Sequence, residues 1–167
     1  MPRVSFCIPT HDGNAKCQQY LFDIFFALAN QTCKDFNVWI SDHSKSDKIL
    51  KACQEYADVF EINFVKNTNK LGNISANTNY ALRCADGDIL KVLFSDDFIL
   101  TKNLVSELDK AFTSDASWAV TGFAHTYTDG QQHYNPKIPV YNDRLLEGIN
   151  TLSSPSILAI RNGIDEY

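Results

Sequence analysis

Short apolar runs alternate with amphipathic segments through the first 112 residues, and this alternation limits the possible folds more than any other feature of the sequence. Apolar side chains at helical spacing form stripes that begin at Cys17, Ile49, Ile74 and Leu104, which predicts four helices. Strands that alternate with such helices are joined by right-handed crossovers. The pattern therefore predicts an α/β fold whose mainly parallel sheet has helices on both faces. The predicted strands lie at residues 4–8, 38–40, 60–65 and in the run from residue 89 to the adjacent acids Asp96 and Asp97.

The alternation ends after residue 112. Residues 118–127 are predicted as a strand and residues 129–130 as a hairpin turn, followed by an irregular stretch to residue 141. Trp118, like Trp39, is expected in the core. No linker, repeat or low-complexity tract interrupts the sequence, so we expect one domain with a smaller α+β half after residue 112.

The charge balance and the cysteine pattern argue against several classes of protein. The net charge is -5 at pH 7, whereas a general nucleic-acid binder needs excess Lys and Arg to neutralise phosphates. Five cysteines without C-x-x-C spacing favour reduced thiols over a disulfide frame or a zinc site. The sequence shows no signal peptide and no apolar run of membrane-spanning length. We therefore expect a cytoplasmic protein with no transmembrane segment and no nucleic-acid partner.

Asp96 and Asp97 follow an apolar run, and folding alone gives no reason to place two adjacent acids there. Two neighbouring carboxylates repel each other in a half-buried site unless a cation offsets the repulsion. A divalent metal, which prefers oxygen ligands, would supply that cation. A second interpretation is open at this point, in which one of the acids merely caps the helix or turn that follows.

Three polar loops are predicted to meet at one edge of the sheet, because ligands of open α/β sheets bind beyond the carboxyl ends of the strands. The loops after the first, second and fourth strands contribute Thr10, Asp42 and Asp97. Thr10 and Asp42 could pair with the hydrogen-bonding edge of a base, and Asp97 could hold a metal that bridges two phosphates. This set suits a nucleoside diphosphate. The sequence has no G-x-G-x-x-G and no P-loop, which argues against a dinucleotide or P-loop site.

Seven segments, in order and at family spacing, resemble the nucleotide-binding half of the GT-A glycosyltransferases. The similarity is to the large inverting family, family 2-like, that includes cellulose, chitin and hyaluronan synthases and many polysaccharide-building enzymes. It implies metal-dependent transfer from a UDP-sugar, with inversion, to a carbohydrate, lipid-linked or protein acceptor. It divides one GT-A-like domain, 1–167, into a nucleotide-sugar-binding half, 1–112, and an incomplete acceptor-side half, 113–167. The matching segments are 4–11 (VSFCIPTH), 31–32 (QT), 36–44 (FNVWISDHS), 69–72 (NKLG), 79–82 (NYAL), 85–89 (ADGDI) and 95–97 (SDD).

The resemblance also implies roles for individual residues. Thr10 and Asp42 match positions that hold uracil, and Asp96 matches one near the ribose. Asp97 matches the final acid of the D-x-D motif, which binds Mn2+ or Mg2+ on the diphosphate, with Asp96 beside it. Lys70, Gly72 and Asn79 match the segment that closes over the nucleotide. The complete set of implied nucleotide-binding positions is Pro9, Thr10, His11, Asp42, Lys70, Gly72, Asn79 and Asp96.

The chain departs from the family at its acids. The family usually has an acid where Ser41 stands and often another at Ser95, so the D-x-D motif is reduced here to Ser95-Asp96-Asp97. The family's catalytic base follows the segment that matches residues 164–166, so we expect it to be absent from this chain. Asp165 and Glu166 are the late carboxylates that could act instead.

If the chain is a transferase, these departures imply that it is either truncated or uses a substitute base. The alternative is a catalytically incomplete nucleotide-sugar-binding or interaction module. A nucleotidyltransferase of similar topology would need a first loop rich in Gly and Lys, and residues 10–16 do not provide one.

Overall fold

The computed structural model describes residues 3–124, 137, 139 and 154–163. The strands are β1 (Val4–Thr10), β2 (Phe36–Asp42), β3 (Ile62–Lys66), β4 (Ile89–Val92), β5 (Trp118–Val120) and β6 (Leu158–Arg161). The helices are α1 (Cys17–Ala29), α2 (Lys48–Gln54), α3 (Ile74–Cys84) and α4 (Leu104–Ala111), and a short 3-10 helix, Pro155–Ile157, precedes β6.

Within these residues the strands form a six-stranded sheet in the order β3-β2-β1-β4-β6-β5. β1 pairs in parallel with both β2 and β4, and β2 pairs in parallel with β3. β6 runs antiparallel to β4, and β5 runs antiparallel to β6. The predicted parallel sheet is confirmed for β1 to β4, whose carboxyl ends lie at one edge.

Helices cover both faces of the sheet, as predicted. Phe6 and Ile8 of β1 belong to the larger core cluster, which includes the apolar stripe of α1. Cys7 belongs to a smaller cluster with Ala81 of α3. Successive side chains of a strand point to opposite faces, so α1 and α3 lie on opposite sides of the sheet. The buried residues of α1 are those of the predicted stripe, Cys17, Leu21, Ile24, Phe25 and Leu28.

β1 and β2 are longer than predicted, and both end in polar residues. They run in register as far as the pair of Thr10 with Asp42, although the sequence predicts that Pro9 closes the first strand. Proline cannot donate to a strand ladder. The register of β1 with β4 already ends at the pair of Cys7 with Val92, so β1 can continue through Pro9 beside β2.

β4 is shorter than predicted, because a backbone N–H beyond it donates to a side chain and not to a neighbouring strand. The strand ends at Val92, and the prediction is wrong for residues 93–97, which are not strand. Phe94 N donates to Ser156 Oγ at 2.7 Å instead of to a neighbouring strand. Asp97 N then donates to Phe94 O at 3.0 Å. The two adjacent acids therefore lie in a turn beyond the strand.

The strand predicted at residues 118–127 is shorter in the structure. β5 covers Trp118–Val120, and Phe123 forms an isolated antiparallel bridge with Lys137. Trp118 is 45% exposed on this edge strand, so the expectation that it lies in the core is wrong. The predicted turn at residues 129–130 lies outside the described residues.

Two further features concern the cysteines and the lengths of the helices. All five cysteines carry free thiols. Across residues 3–124 and 154–163, no helix combines the length and the apolar character needed to cross a bilayer.

Candidate functional site

The carboxyl ends of β1 and β2 meet at Thr10 and Asp42, as the sequence predicts. Thr10 Oγ1 donates to Asp42 Oδ1 at 3.1 Å, and the two residues are in register. Because β4 lies next to β1, the turn that carries Asp96 and Asp97 opens at the same edge. The topology therefore places the three loops at one edge of the sheet, as predicted. This edge, with Thr10, Asp42 and Asp97, is called the polar edge below.

Asp42 is fully buried, and the protein itself occupies its carboxylate. Oδ1 accepts hydrogen bonds from Thr10 Oγ1, from Ser44 N at 3.0 Å and from the Ser44 hydroxyl. Oδ2 accepts from Lys66 Nζ at 3.0 Å, in an ion pair whose lysine is 36% exposed. A base can contact this carboxylate only after one of these donors moves. Base recognition by Asp42 stays a prediction, while its role in joining the ends of β1, β2 and β3 is visible in these contacts.

Asn77 of α3 ties the same strand ends together, and sequence reasoning missed it. Its Nδ2 donates to the carbonyl oxygens of Ser41 (2.9 Å) and Thr10 (3.2 Å). Its Oδ1 accepts from Ser41 Oγ (2.6 Å) and Asn67 Nδ2 (3.1 Å). Buried polar groups need such partners, and Asn77 is 1% exposed. The signal in the sequence is an amide on the predicted apolar stripe of the third helix.

Pro9 and His11 flank Thr10 and differ in exposure. Pro9 is buried in β1 opposite Ser41. His11 is exposed, and its Nδ1 accepts a hydrogen bond from Gly13 N at 2.9 Å. Pro9 and His11 are both predicted to bind the nucleotide, and of these two His11 has the side chain that a ligand can reach.

Lys70, Gly72 and Asn79 lie on the surface around the start of α3. Lys70 has a φ of 51° and Gly72 a φ of 79°, so both adopt the left-handed conformation that glycine reaches at little cost. Asn73, between this loop and α3, caps the helix by accepting from Ala76 N at 2.9 Å. In the described part of the chain no hydrogen bond joins the three side chains to the polar edge. Their closure over a nucleotide stays a prediction.

Asp96 and Asp97 differ in how far the protein engages them. Asp96 is exposed, and no residue within the described ranges donates a hydrogen bond to its carboxylate. Asp97 is partly buried, and its Oδ2 accepts from Ser154 Oγ at 2.8 Å. Its Oδ1 accepts from none of the described residues. The polar edge thus presents open carboxylate oxygens at this turn and a fully occupied carboxylate at Asp42.

Lys91 of β4 lines the same cavity as Asp97 and is the second residue that sequence reasoning missed. It is 2% exposed, and its Nζ donates to the carbonyl oxygens of Ser156 and, at 3.4 Å, Leu158. Burial lowers the pKa of Lys91 to about 7, and the charge of Asp97 acts in the opposite direction. The signal in the sequence is a lysine inside an otherwise apolar run.

A cavity of about 660 Å³ opens beside the turn. Lys91, Asp97 and Ser154 line its polar end, and apolar side chains from α4 and β5 line much of the remainder. This volume is typical of a small-molecule site. The cavity lies toward β5, where the acceptor-side half is predicted. The candidate late carboxylates, Asp165 and Glu166, lie outside the described residues.

Asp96 and Asp97 are suitable ligands for a divalent cation that is also bound by substrate. Among the described residues, no group of three or more His, Cys, Asp or Glu side chains could enclose a metal ion. Mg2+ does not need such a cage, because one or two carboxylates and substrate phosphates commonly bind it. Asp97 Oδ1 and the Asp96 carboxylate are suitable oxygens for that arrangement.

Comparison with known sequences finds a matching family model and a similar protein. The family model described as Glycosyl transferase family 2 matches residues 5–162. Chondroitin synthase of Escherichia coli is 33% identical over 100 residues, which make up 59% of this chain and 14% of the synthase. The aligned part is therefore a small fraction of that relative.

Solved structures with the same fold include two nucleotide or nucleotide-sugar complexes. TarS of S. aureus, in complex with UDP, has a TM-score of 0.56 at 22% identity, and the match covers 65% of this chain and 31% of TarS. The mannosyltransferase PcManGT from Pyrobaculum calidifontis, in complex with GDP-Man and Mn2+, has a TM-score of 0.56 at 20% identity, covering 70% and 34%. At these identities the likeness concerns the fold, and it confirms the predicted GT-A class.

Proposed function

The chain belongs to glycosyl transferase family 2, and on that basis we propose that it transfers a sugar from a UDP-sugar, with inversion and with Mn2+ or Mg2+. The observation that carries this proposal is the composition of the polar edge. A buried threonine and aspartate pair stands at the ends of β1 and β2. After β4, Asp96 and one oxygen of Asp97 accept no hydrogen bond from the described residues. Nucleotides bind open α/β sheets at this position.

We assign the parts of the donor along this edge. Uracil lies at Thr10 and Asp42, where its binding requires a donor such as Lys66 to leave the Asp42 carboxylate. The ribose would lie near Asp96, and Asp97, with Asp96 beside it, would hold the cation that accompanies the diphosphate. Pro9 and His11 border the base, and the loop with Lys70, Gly72 and Asn79 closes over the nucleotide, an assignment supported by the match of these residues to family motifs.

The chemistry of this assignment is charge neutralisation and proton transfer. A bound divalent cation supplies positive charge for the diphosphate as it leaves the sugar. Asp97 would hold this cation through its carboxylate. Inversion further requires a carboxylate that takes the proton of the acceptor hydroxyl. Asp165 and Glu166 are the candidates for this base within the chain, and the cavity beside Asp97 is the proposed acceptor side.

The complexes of the structural neighbours support a nucleotide-sugar donor and a divalent cation. TarS has been solved with UDP and with UDP-GlcNAc, and PcManGT with GDP-Man and Mn2+. Because these neighbours bind different bases, uridine and guanosine must be compared directly. A cytoplasmic location is part of the proposal and is supported by the free thiols.

Thermal melting against UDP, GDP, CDP and ADP, each with Mn2+ and with a chelator, tests this function. Ligand at about a hundred times its dissociation constant should add roughly 2.7 kcal/mol to the free energy of unfolding. We expect the largest shift with UDP and its loss with chelator. An equal shift with GDP would contradict uridine recognition, and no shift with any nucleotide would contradict the donor site. UDP release from a UDP-sugar then separates a transferase from a module that binds the donor without turnover.

A further inference from the structure

The turn that carries Asp97 is joined to the segment before β6 by hydrogen bonds from both sides. Ser154 Oγ donates to Asp97 Oδ2 at 2.8 Å, and Phe94 N donates to Ser156 Oγ at 2.7 Å. Lys91 Nζ donates to the carbonyl oxygen of Ser156. The two segments are about sixty residues apart in the sequence but form one junction in the fold.

The Ser154 hydroxyl has a fixed orientation in this junction. Its oxygen accepts from Ser156 N at 3.2 Å, as the cap of the 3-10 helix. Pro155 follows at the first helical position, where its ring fixes the backbone. Because a carboxylate only accepts, the hydroxyl proton must point to Asp97. Ser154 therefore donates to one defined oxygen of the acid.

Lys91 keeps the same segment in place without a described acid partner. It is 2% exposed in β4, and its Nζ lies between the carbonyl oxygens of Ser156 and Leu158. In the residues that the structure describes, no carboxylate lies within ion-pair distance of this amine. Leaving a buried donor unpaired is costly, so these carbonyl bonds hold the 3-10 helix against β4.

We propose that Ser154 is a positioning residue for Asp97, anchored by Lys91 and by the backbone of Ser156, and that it holds Oδ2 so that Oδ1 can bind the divalent cation. This inference rests on the proposed function, since it concerns the cation of the donor site. Carboxylates that bind metals are themselves held by hydrogen bonds, and loss of such a partner typically weakens metal binding about 10- to 100-fold. In the described structure, the hydrogen bond that holds the Asp97 carboxylate comes from Ser154.

The test is the affinity for Mn2+ at saturating UDP, measured by thermal melting of the whole chain. Ser154→Ala should weaken Mn2+ binding at least about tenfold, and Ser154→Thr, which keeps the hydroxyl, should restore it. Ser156→Ala is the matched control, because it loosens the same junction at Phe94 without touching the Asp97 carboxylate. Its Mn2+ affinity should stay within about threefold of the wild type, a limit set by the usual spread of single-contact effects.

The possible outcomes distinguish the positioning role of Ser154 from the proposed function. Equal Mn2+ affinities of Ser154→Ala and the wild type would overturn the positioning role alone. Equal losses in Ser154→Ala and Ser156→Ala would overturn it too, because the effect would then come from general loosening. Absence of Mn2+-dependent UDP binding in the wild type would overturn the proposed function itself. If Ser154→Ala does not fold, Ser154→Cys takes its place under the same criteria, since a thiol is a weak donor of similar size.

Discussion

The two ends of the polar edge treat their carboxylates in opposite ways. Asp42 is fully buried and accepts four hydrogen bonds, including one from Lys66. Asp97 is partly buried, and among the described residues only Ser154 donates a side-chain hydrogen bond to it, at Oδ2. An acid whose partners all come from the protein stabilises the fold, whereas an acid with an open oxygen can bind a ligand. The comparison indicates a structural task for Asp42 in addition to its proposed contact with the base, and it makes Asp97 the better candidate for a bound cation.

Replacing Asp42 with Ala tests the contribution of this buried acid to stability. The change leaves Thr10, Ser44 and Lys66 without their shared acceptor, so we expect the free energy of unfolding to fall by about 3 kcal/mol. Urea denaturation measures this loss. Asp109→Ala is the control, because that half-exposed acid pairs with Arg3 on the surface and should cost at most about 1 kcal/mol. Similar losses for the two variants would remove the distinction between Asp42 and an ordinary surface acid.

The pH dependence of stability tests how deeply Lys91 is buried, at the end of the polar edge that carries Asp97. Its pKa is about 7 in the folded protein and near its ordinary value of 10.5 when unfolded. Between these values the unfolded chain binds more protons, so this lysine makes stability rise with pH, by up to about 1.4 kcal/mol per pH unit. That contribution is complete above pH 10.5 and is lost as the pH falls through 7.

Comparison with Lys91→Met isolates this effect from that of all other groups. In chelator, between pH 7.5 and pH 9, the stability of the wild type should rise relative to the variant. Burial raises the pKa of the Cys53 thiol from its ordinary value of 9.0 to about 12, so this group makes stability fall as the pH rises through 9.0, but both proteins carry it and its effect cancels in the comparison. Parallel stability curves for the two proteins would show that Lys91 is solvated.

The sequence predicts the parts of this structure that depend on local apolar pattern. The stripe of α1 and the order of strands and helices follow from which side chains must be buried, and the structure has both. The position of Thr10 and Asp42 at neighbouring strand ends follows from parallel topology. These predictions succeed because each depends on a few consecutive residues and on one rule of sheet geometry.

The predictions that fail depend on partners far away in the sequence. β4 ends early because Ser156 takes the backbone donor of Phe94, and nothing near residue 94 indicates that bond. The burial of Lys91 depends on carbonyl oxygens at residues 156 and 158. The occupied state of the Asp42 carboxylate depends on Lys66, on another strand. Polar partners of this kind have no periodicity, so a pattern of apolar residues does not contain them.

Titration of Mn2+ into the UDP-saturated wild type and Asp97→Asn is the most direct test of the account. Asparagine keeps the size of the side chain and removes its charge, so the melting temperature without ligands should change little. We predict at least about a hundredfold weaker Mn2+ binding for Asp97→Asn, a difference of roughly 2.7 kcal/mol. Equal Mn2+ affinities for Asp97→Asn and the wild type would contradict the assignment of the open carboxylate to the cation.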